Sequence, residues 1–139
     1  VKFILPALFV LVSACVKAAD DPAREHYMLH CQGCHLADAT GREPYVPNMV
    51  NRIGRFVAVP GGRAYLVQVP GTANASLTDA EIAALLNWVL REFSAATLPA
   101  DFQPYTAAEV AGYRGTRPVD ILARRRTLLA ALPASRVGD

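Results

Sequence analysis

Cys31-Gln32-Gly33-Cys34-His35 is the stretch that decides how the rest of this chain is read. Positions i, i+3 and i+4 lie on one face of a helix. Both thiols and the imidazole therefore project together. Two thiols at that spacing can add to the two vinyl groups of one porphyrin, and the imidazole beside them can reach the iron. The pattern reads as a c-type haem attachment site.

Cysteine usage narrows the chemistry. The chain has three cysteines, and Cys15 lies close behind an apolar N-terminal run. Only Cys31 and Cys34 remain, and a pair three residues apart is no disulfide framework. A structural zinc site wants four ligands. The other histidines are His26 and His30, and there is no second cysteine pair. A thioredoxin-like pair would sit in a βαβ pattern, for which the strand signals are absent. Elimination leaves haem, covalently held, one per chain.

At 139 residues and 53% apolar composition, the chain is long enough for one small domain plus an extension. A formal net charge of +2 gives no sequence-wide signature of nucleic-acid binding. Lys2 followed by the apolar run Phe3 to Val12 is too short to span a bilayer. With the small residues behind it, the run reads as an export signal. Two exits are open. Val16-Lys17-Ala18 permits cleavage before Ala19, so that residues 1–18 are a signal peptide. Val12-Ser13-Ala14-Cys15 resembles a lipobox, which would lipidate Cys15 and tie the protein to a membrane. Either exit leads to the periplasm.

Asp21-Pro22 supplies an N-cap and a proline at N1. A helix is expected from there to about Cys34, with Tyr27 and Met28 facing inward. Gly33, Gly41, Pro44 and Pro47 interrupt regular structure until about Gly54. Residues 61–69 form a short helix ended by Pro70-Gly71. The clearest element covers 79–94. Thr78 and Glu81 make a capping box, and Leu77 can staple onto Ile82. Ile82, Leu85, Leu86, Val89, Leu90 and Phe93 keep the 3.6-residue period and are read as core. Thr106 and Glu109 form a second capping box before a short helix. A last helix spans Val119 to Leu132, with Ile121, Leu122, Leu128, Leu129 and Leu132 as its apolar residues. With no convincing strands, the fold class is all-α. Residues 19–95 form the haem domain, and 96–139 a two-helix extension of undecided role.

Residues 22–95 resemble the class I c-type cytochromes. Tyr27 stands four positions before the first motif cysteine, where that family has an aromatic residue. Trp88, with Leu85, looks like the partner on the family's C-terminal helix. Pro47-Asn48-Met49 looks like the segment whose proline carbonyl accepts the proximal His N–H. Gly54-Arg55 fits the Gly-Arg whose arginine lies near a haem propionate. The resemblance thus implies Cys31 and Cys34 as thioether positions, His35 as the iron ligand, Pro47 as its acceptor and Arg55 as a propionate partner. An axial histidine needs its other nitrogen tied to an acceptor, and a partly buried propionate needs a cation or donors.

One departure stands out. The family usually takes its distal ligand from a Met just before the C-terminal helix. Residues 69–77 read Val-Pro-Gly-Thr-Ala-Asn-Ala-Ser-Leu and contain no Met; Asn74 occupies the corresponding position. Three readings remain open. Asn74 binds the iron weakly or sits over it, the distal side is open with Asn74 turned away, or Met49 reaches the iron through a rearranged loop. Met28 and Met49 otherwise read as core filler. His26 and His30 share the attachment helix and cannot easily cross to the distal face.

The function these readings imply is one-electron transfer between a periplasmic dehydrogenase and a terminal acceptor. A quinoprotein dehydrogenase is the partner suggested by analogy with the family. The alternative, raised by the missing Met, is a haem protein that binds or senses CO or NO. Enzyme activity is not expected, since a peroxidase would want a distal acid or base and residues 69–77 hold no His or Glu. Arg124-Arg125-Arg126 reads as a solvated helix face, or as a docking patch for an acidic partner or anionic lipid. Mass spectrometry of the mature protein should find Ala19 at the N-terminus. A diacylated Cys15 there would select the anchored form instead.

Overall fold

A computed structural model describes residues 21–133. The expected leader, with Cys15, lies outside them. Among the described residues eight helices follow one another: α1 (Pro22–His30), α2 (Gln32–His35), α3 (Ile53–Phe56), α4 (Gly62–Gln68), α5 (Pro70–Ala73), α6 (Asp79–Ser94), α7 (Ala107–Arg114) and α8 (Ile121–Ala131). A 3-10 turn, Ala95–Thr97, ends α6. The described residues contain no strand, only an isolated bridge between Arg42 and Val46. The all-α expectation holds.

α6 is the pillar. Thr78 caps it by accepting from the Glu81 N–H, and the Glu81 carboxylate returns to the Thr78 N–H at 2.7 Å. Such a cap is worth about 1 kcal/mol. Two faces of α6 are buried in different directions. Leu85 and Val89 pack with Tyr27, Ala39, Met49 and Trp88 on the side of α1. Ile82, Leu86 and Leu90 pack with Phe56, Tyr65, Leu66 and Val67 on the other. The long apolar stripe read from the sequence therefore serves two clusters. Phe93 is its least buried member.

Ser94, at the end of α6, is fully buried. Its hydroxyl donates to the Met49 carbonyl at 3.2 Å and accepts from the Gly54 N–H at 3.1 Å. The Asn51 N–H adds a bond to the Phe93 carbonyl at 2.8 Å. The segment from Met49 to Gly54 is thus fastened to α6 by polar contacts. Only a glycine fits at 54, because a Cβ there would stand 2.6 Å from Thr97 Oγ1 and 2.9 Å from the Ser94 carbonyl.

The segment after residue 95 shares this core. Tyr105, Val110 and Leu128 are buried within the Phe56–Tyr65 cluster. Asn87 on α6 accepts from the Tyr105 N–H at 2.7 Å and donates to its carbonyl at 3.0 Å. Arg63 on α4 makes a paired contact to Glu109, 2.6 Å at each end, and stacks its guanidinium 4.0 Å over the Tyr105 ring.

Several local expectations need correction. The first helix does not run unbroken to Cys34. It stops at His30, and Cys31 takes φ −123°, ψ −41° before α2 begins. Met28 does not face the core, being 46% exposed. α1 turns Tyr27 inward, and the adjacent position points away. The second capping box is half made: Thr106 accepts from the Glu109 N–H, but the Glu109 carboxylate goes to Arg63. The short helix does end before Pro70-Gly71, at Gln68, but the pair then opens a further helix, α5. On α8, Leu128 is buried while Leu122 and Leu129 are exposed. The basic run is not one free face either. Arg124 and Arg125 are half-buried, and only Arg126 and its loose partner Asp120, 3.9 Å away, stand in solvent.

Replacing Ser94 by Ala strands one buried backbone group, the Gly54 N–H, while the Met49 carbonyl keeps its bonds from the Arg52 and Ile53 N–H groups. The expected cost is about 1–3 kcal/mol, read as a lower denaturant midpoint with an unchanged slope in S94A.

Candidate haem attachment site

The motif sits where α1 ends against α6. Tyr27 is 1% exposed, with its ring 5.5 Å from Trp88 and 5.1 Å from Phe93. Its hydroxyl donates to the Leu36 carbonyl at 2.5 Å. One side chain thereby joins the helix crossing to the residue that follows His35. Burial, with Cys31 and Asp38 nearby, pushes the Tyr27 phenol up to about 12. It stays a neutral donor at physiological pH.

From Cys31 the backbone makes a single helical turn. Its carbonyl accepts from the Cys34 N–H at 3.2 Å and the His35 N–H at 2.9 Å. The i, i+3, i+4 face survives the break in the helix. Both thiols are free, Cys31 half-buried and Cys34 exposed. Burial, then the Cys34 thiol, pushes Cys31 up to about 11. Redox-active and nucleophilic cysteines have the opposite shift, toward the thiolate.

His35 is held below the ordinary imidazole range by burial, with the Pro47 carbonyl working in the other direction. Its Nδ1 is buried and has no hydrogen bond of good geometry. The Pro47 carbonyl favours a proton on the ring, while Nδ1 itself makes no hydrogen bond. A neutral imidazole is what a metal ligand must be, and a carbonyl on its far nitrogen fixes ring orientation.

The loop that delivers Pro47 is built tightly. The Gly41 N–H donates to the His35 carbonyl at 3.0 Å, and Arg42 and Val46 exchange two bonds of 2.9 Å. Gly41 has φ +70°, and a Cβ there would lie 2.5 Å from the Val46 carbonyl and 2.7 Å from that of Pro47. Leu36 and Ala39 also take left-handed φ, 68° and 61°. Such positions cost about 1–3 kcal/mol each. Tyr27 on Leu36, and the Met49 N–H on the Ala39 carbonyl at 2.9 Å, hold them there.

One cytochrome c-552 of Thermus thermophilus is 29% identical to this chain over 140 aligned positions, covering 86% of the chain and 93% of that protein. A second cytochrome c-552 of Thermus thermophilus is 30% identical over 118 positions, covering 70% of the chain and 90% of that protein. The chain belongs to the c-type cytochromes. No protein-family model matches it. The longer match is more extensive than residues 1–95, so it takes in part of the segment after residue 95.

The residues present in this cytochrome fit a covalently attached haem. Two free thiols and a buried imidazole nitrogen lie on one helical turn, with the Pro47 carbonyl acting on the same ring. Cys31 and Cys34 would take the vinyl groups, and His35 the iron.

Cys31, Cys34, His35 and Pro47 are brought together by α2 and its loop. Arg55 and Asn74 lie on other elements. Arg55 is half-buried on α3 and makes no ion pair among the described residues. Asn74 ends α5 with an exposed side chain. Leu36 was missed by sequence reasoning, and Gly41 was read only as a break in regular structure. Gly41, a glycine six residues after the motif, was a legible signal for a left-handed turn. Nothing marked Leu36.

G41A should displace the Pro47 carbonyl from His35. The imidazole then loses basicity, which favours Fe(II). A potentiometric titration should show the reduction potential moved upward, with a stability loss of about 1 kcal/mol or more from the left-handed backbone.

Proposed function

We propose that this cytochrome carries single electrons in the periplasm on one covalent haem c, between a dehydrogenase and a terminal acceptor. Supporting this most directly is the buried Nδ1 of His35, with the Pro47 carbonyl acting on the same ring and two free thiols on the same turn. That arrangement suits ligation and suits neither thiol redox chemistry nor a thiolate metal site. Bound there, haem supplies the Fe(III)/Fe(II) couple.

The protein's part is to hold and tune. Cys31 and Cys34 would hold the porphyrin edge, and His35 would bind the iron, its ring oriented by Pro47. Arg55 neutralises a propionate. Asn74 would stand on the distal side, in the place of the family's Met. An amide oxygen is a harder ligand than a thioether, so it lowers the potential relative to a Met-ligated carrier. By analogy with the family, the donor is a quinoprotein dehydrogenase. No helix among the described residues is long and apolar enough to cross a membrane. Export follows from the expected leader, with Cys15 as the lipidation point should the anchored exit be used.

Spectra of the oxidised and reduced holoprotein, with and without CO, test this reading. A reversible one-electron couple without the long-wavelength band of Met-ligated ferric haem is the expected result. Appearance of that band would replace Asn74 by Met49. Rapid CO binding with no reversible electron exchange would overturn the carrier and favour the small-ligand sensor.

A further inference from the structure

Residues 73–77 run from the end of α5 toward α6 and are small: Ala73, Asn74, Ala75 and Ser76, then Leu77. Ala73 and Ala75 are buried, while Asn74 and Ser76 are exposed. A segment of such side chains has little with which to fix its own shape. Its backbone is instead held from outside. Arg114, the last residue of α7, reaches across to it. Its Nε donates to the Ala73 carbonyl at 3.1 Å, Nη2 to Ala75 at 2.6 Å and Nη1 to Leu77 at 2.8 Å. Nη1 also meets the Asp79 carboxylate at 3.1 Å. Arg117 adds a longer contact to Ala73 at 3.4 Å.

An arginine needed only to anchor the extension would be served by Asp79 alone. This one spends three donor positions on alternate carbonyls of a single connector. The planar fork of a guanidinium can do that, whereas an ammonium offers one point charge. We propose that Arg114 is a positioning residue for the distal side of the haem: from the extension, it sets the backbone of residues 73–77 and so the place of Asn74. The proposal rests on the reading that this segment covers the distal face. It gives the extension a role in iron coordination as well as in the core.

The test uses holoproteins: wild type, R114A, R114K, N74A and E109Q. The last loosens the other end of α7 without touching the segment. CO association with the ferrous form, the ferric spectrum and thermal stability are read for each. R114A and R114K should both take up CO faster by about tenfold, the factor that one charge-assisted hydrogen bond is worth, and both should shift the ferric spectrum. E109Q should lose thermal stability only. If R114A behaves like E109Q while N74A alters CO uptake, the clamp is overturned and the distal reading stands. If R114A and N74A are both silent, the distal reading fails and takes the clamp with it. A change in R114A without one in N74A keeps the clamp and removes only Asn74 as ligand. Full rescue by R114K would overturn the fork geometry. Should R114A yield no holoprotein, D79N removes one anchor of the guanidinium and should move CO uptake in the same direction by less.

Discussion

The crossing of α1 over α6, centred on Tyr27, is the contact on which the site depends. The phenol ring lies against Trp88 and Phe93, and the hydroxyl reaches the Leu36 carbonyl. A short helix has little stability of its own, and the turn from Cys31 to His35 is one of the shortest possible. It is fixed because Tyr27 holds its entrance to the core and its exit to the loop. Aromatic pairs of this kind contribute about 0.5–1.5 kcal/mol beyond the area they bury. Their value here is geometric: they decide where the two thiols and the imidazole point.

A second group of contacts faces the other way. Ile82, Leu86 and Leu90 bury the opposite side of α6 under Tyr105, Val110 and Leu128. The extension is therefore part of the same folded unit. Arg63 with Glu109, Asn87 with Tyr105, and Arg114 with residues 73–79 all join it to the domain at partly buried positions. Partly buried charge-assisted pairs are stronger than exposed ones. They also carry direction, which apolar packing lacks.

Much of this was legible in the sequence. The period of Ile82 to Phe93, the Thr78 box and the Asp21-Pro22 start are local signals, and the helices formed where they pointed. The motif with Tyr27, Pro47 and Trp88 drew the site, because each of those residues has a fixed place relative to Cys31. The failures were tertiary. Met28 looked like core, but the helix face that buries Tyr27 turns the next position outward. Glu109 looked like a cap, but Arg63, far away in sequence, competes for its carboxylate. Nothing near Arg114 announces that its partners lie some forty residues earlier. Hydrogen bonds to backbone carbonyls leave no residue-type signature at the accepting end, so the tie between extension and connector could only be seen in three dimensions.

The account stands on one covalent proposal, that Cys31 and Cys34 carry haem and His35 ligates its iron. Tandem mass spectrometry of proteolytic peptides from the exported protein tests it most directly. The account predicts one haem, bonded to both cysteines of the single peptide that contains residues 31–35. A peptide with free thiols, or with a Cys31–Cys34 disulfide and no haem, would contradict it.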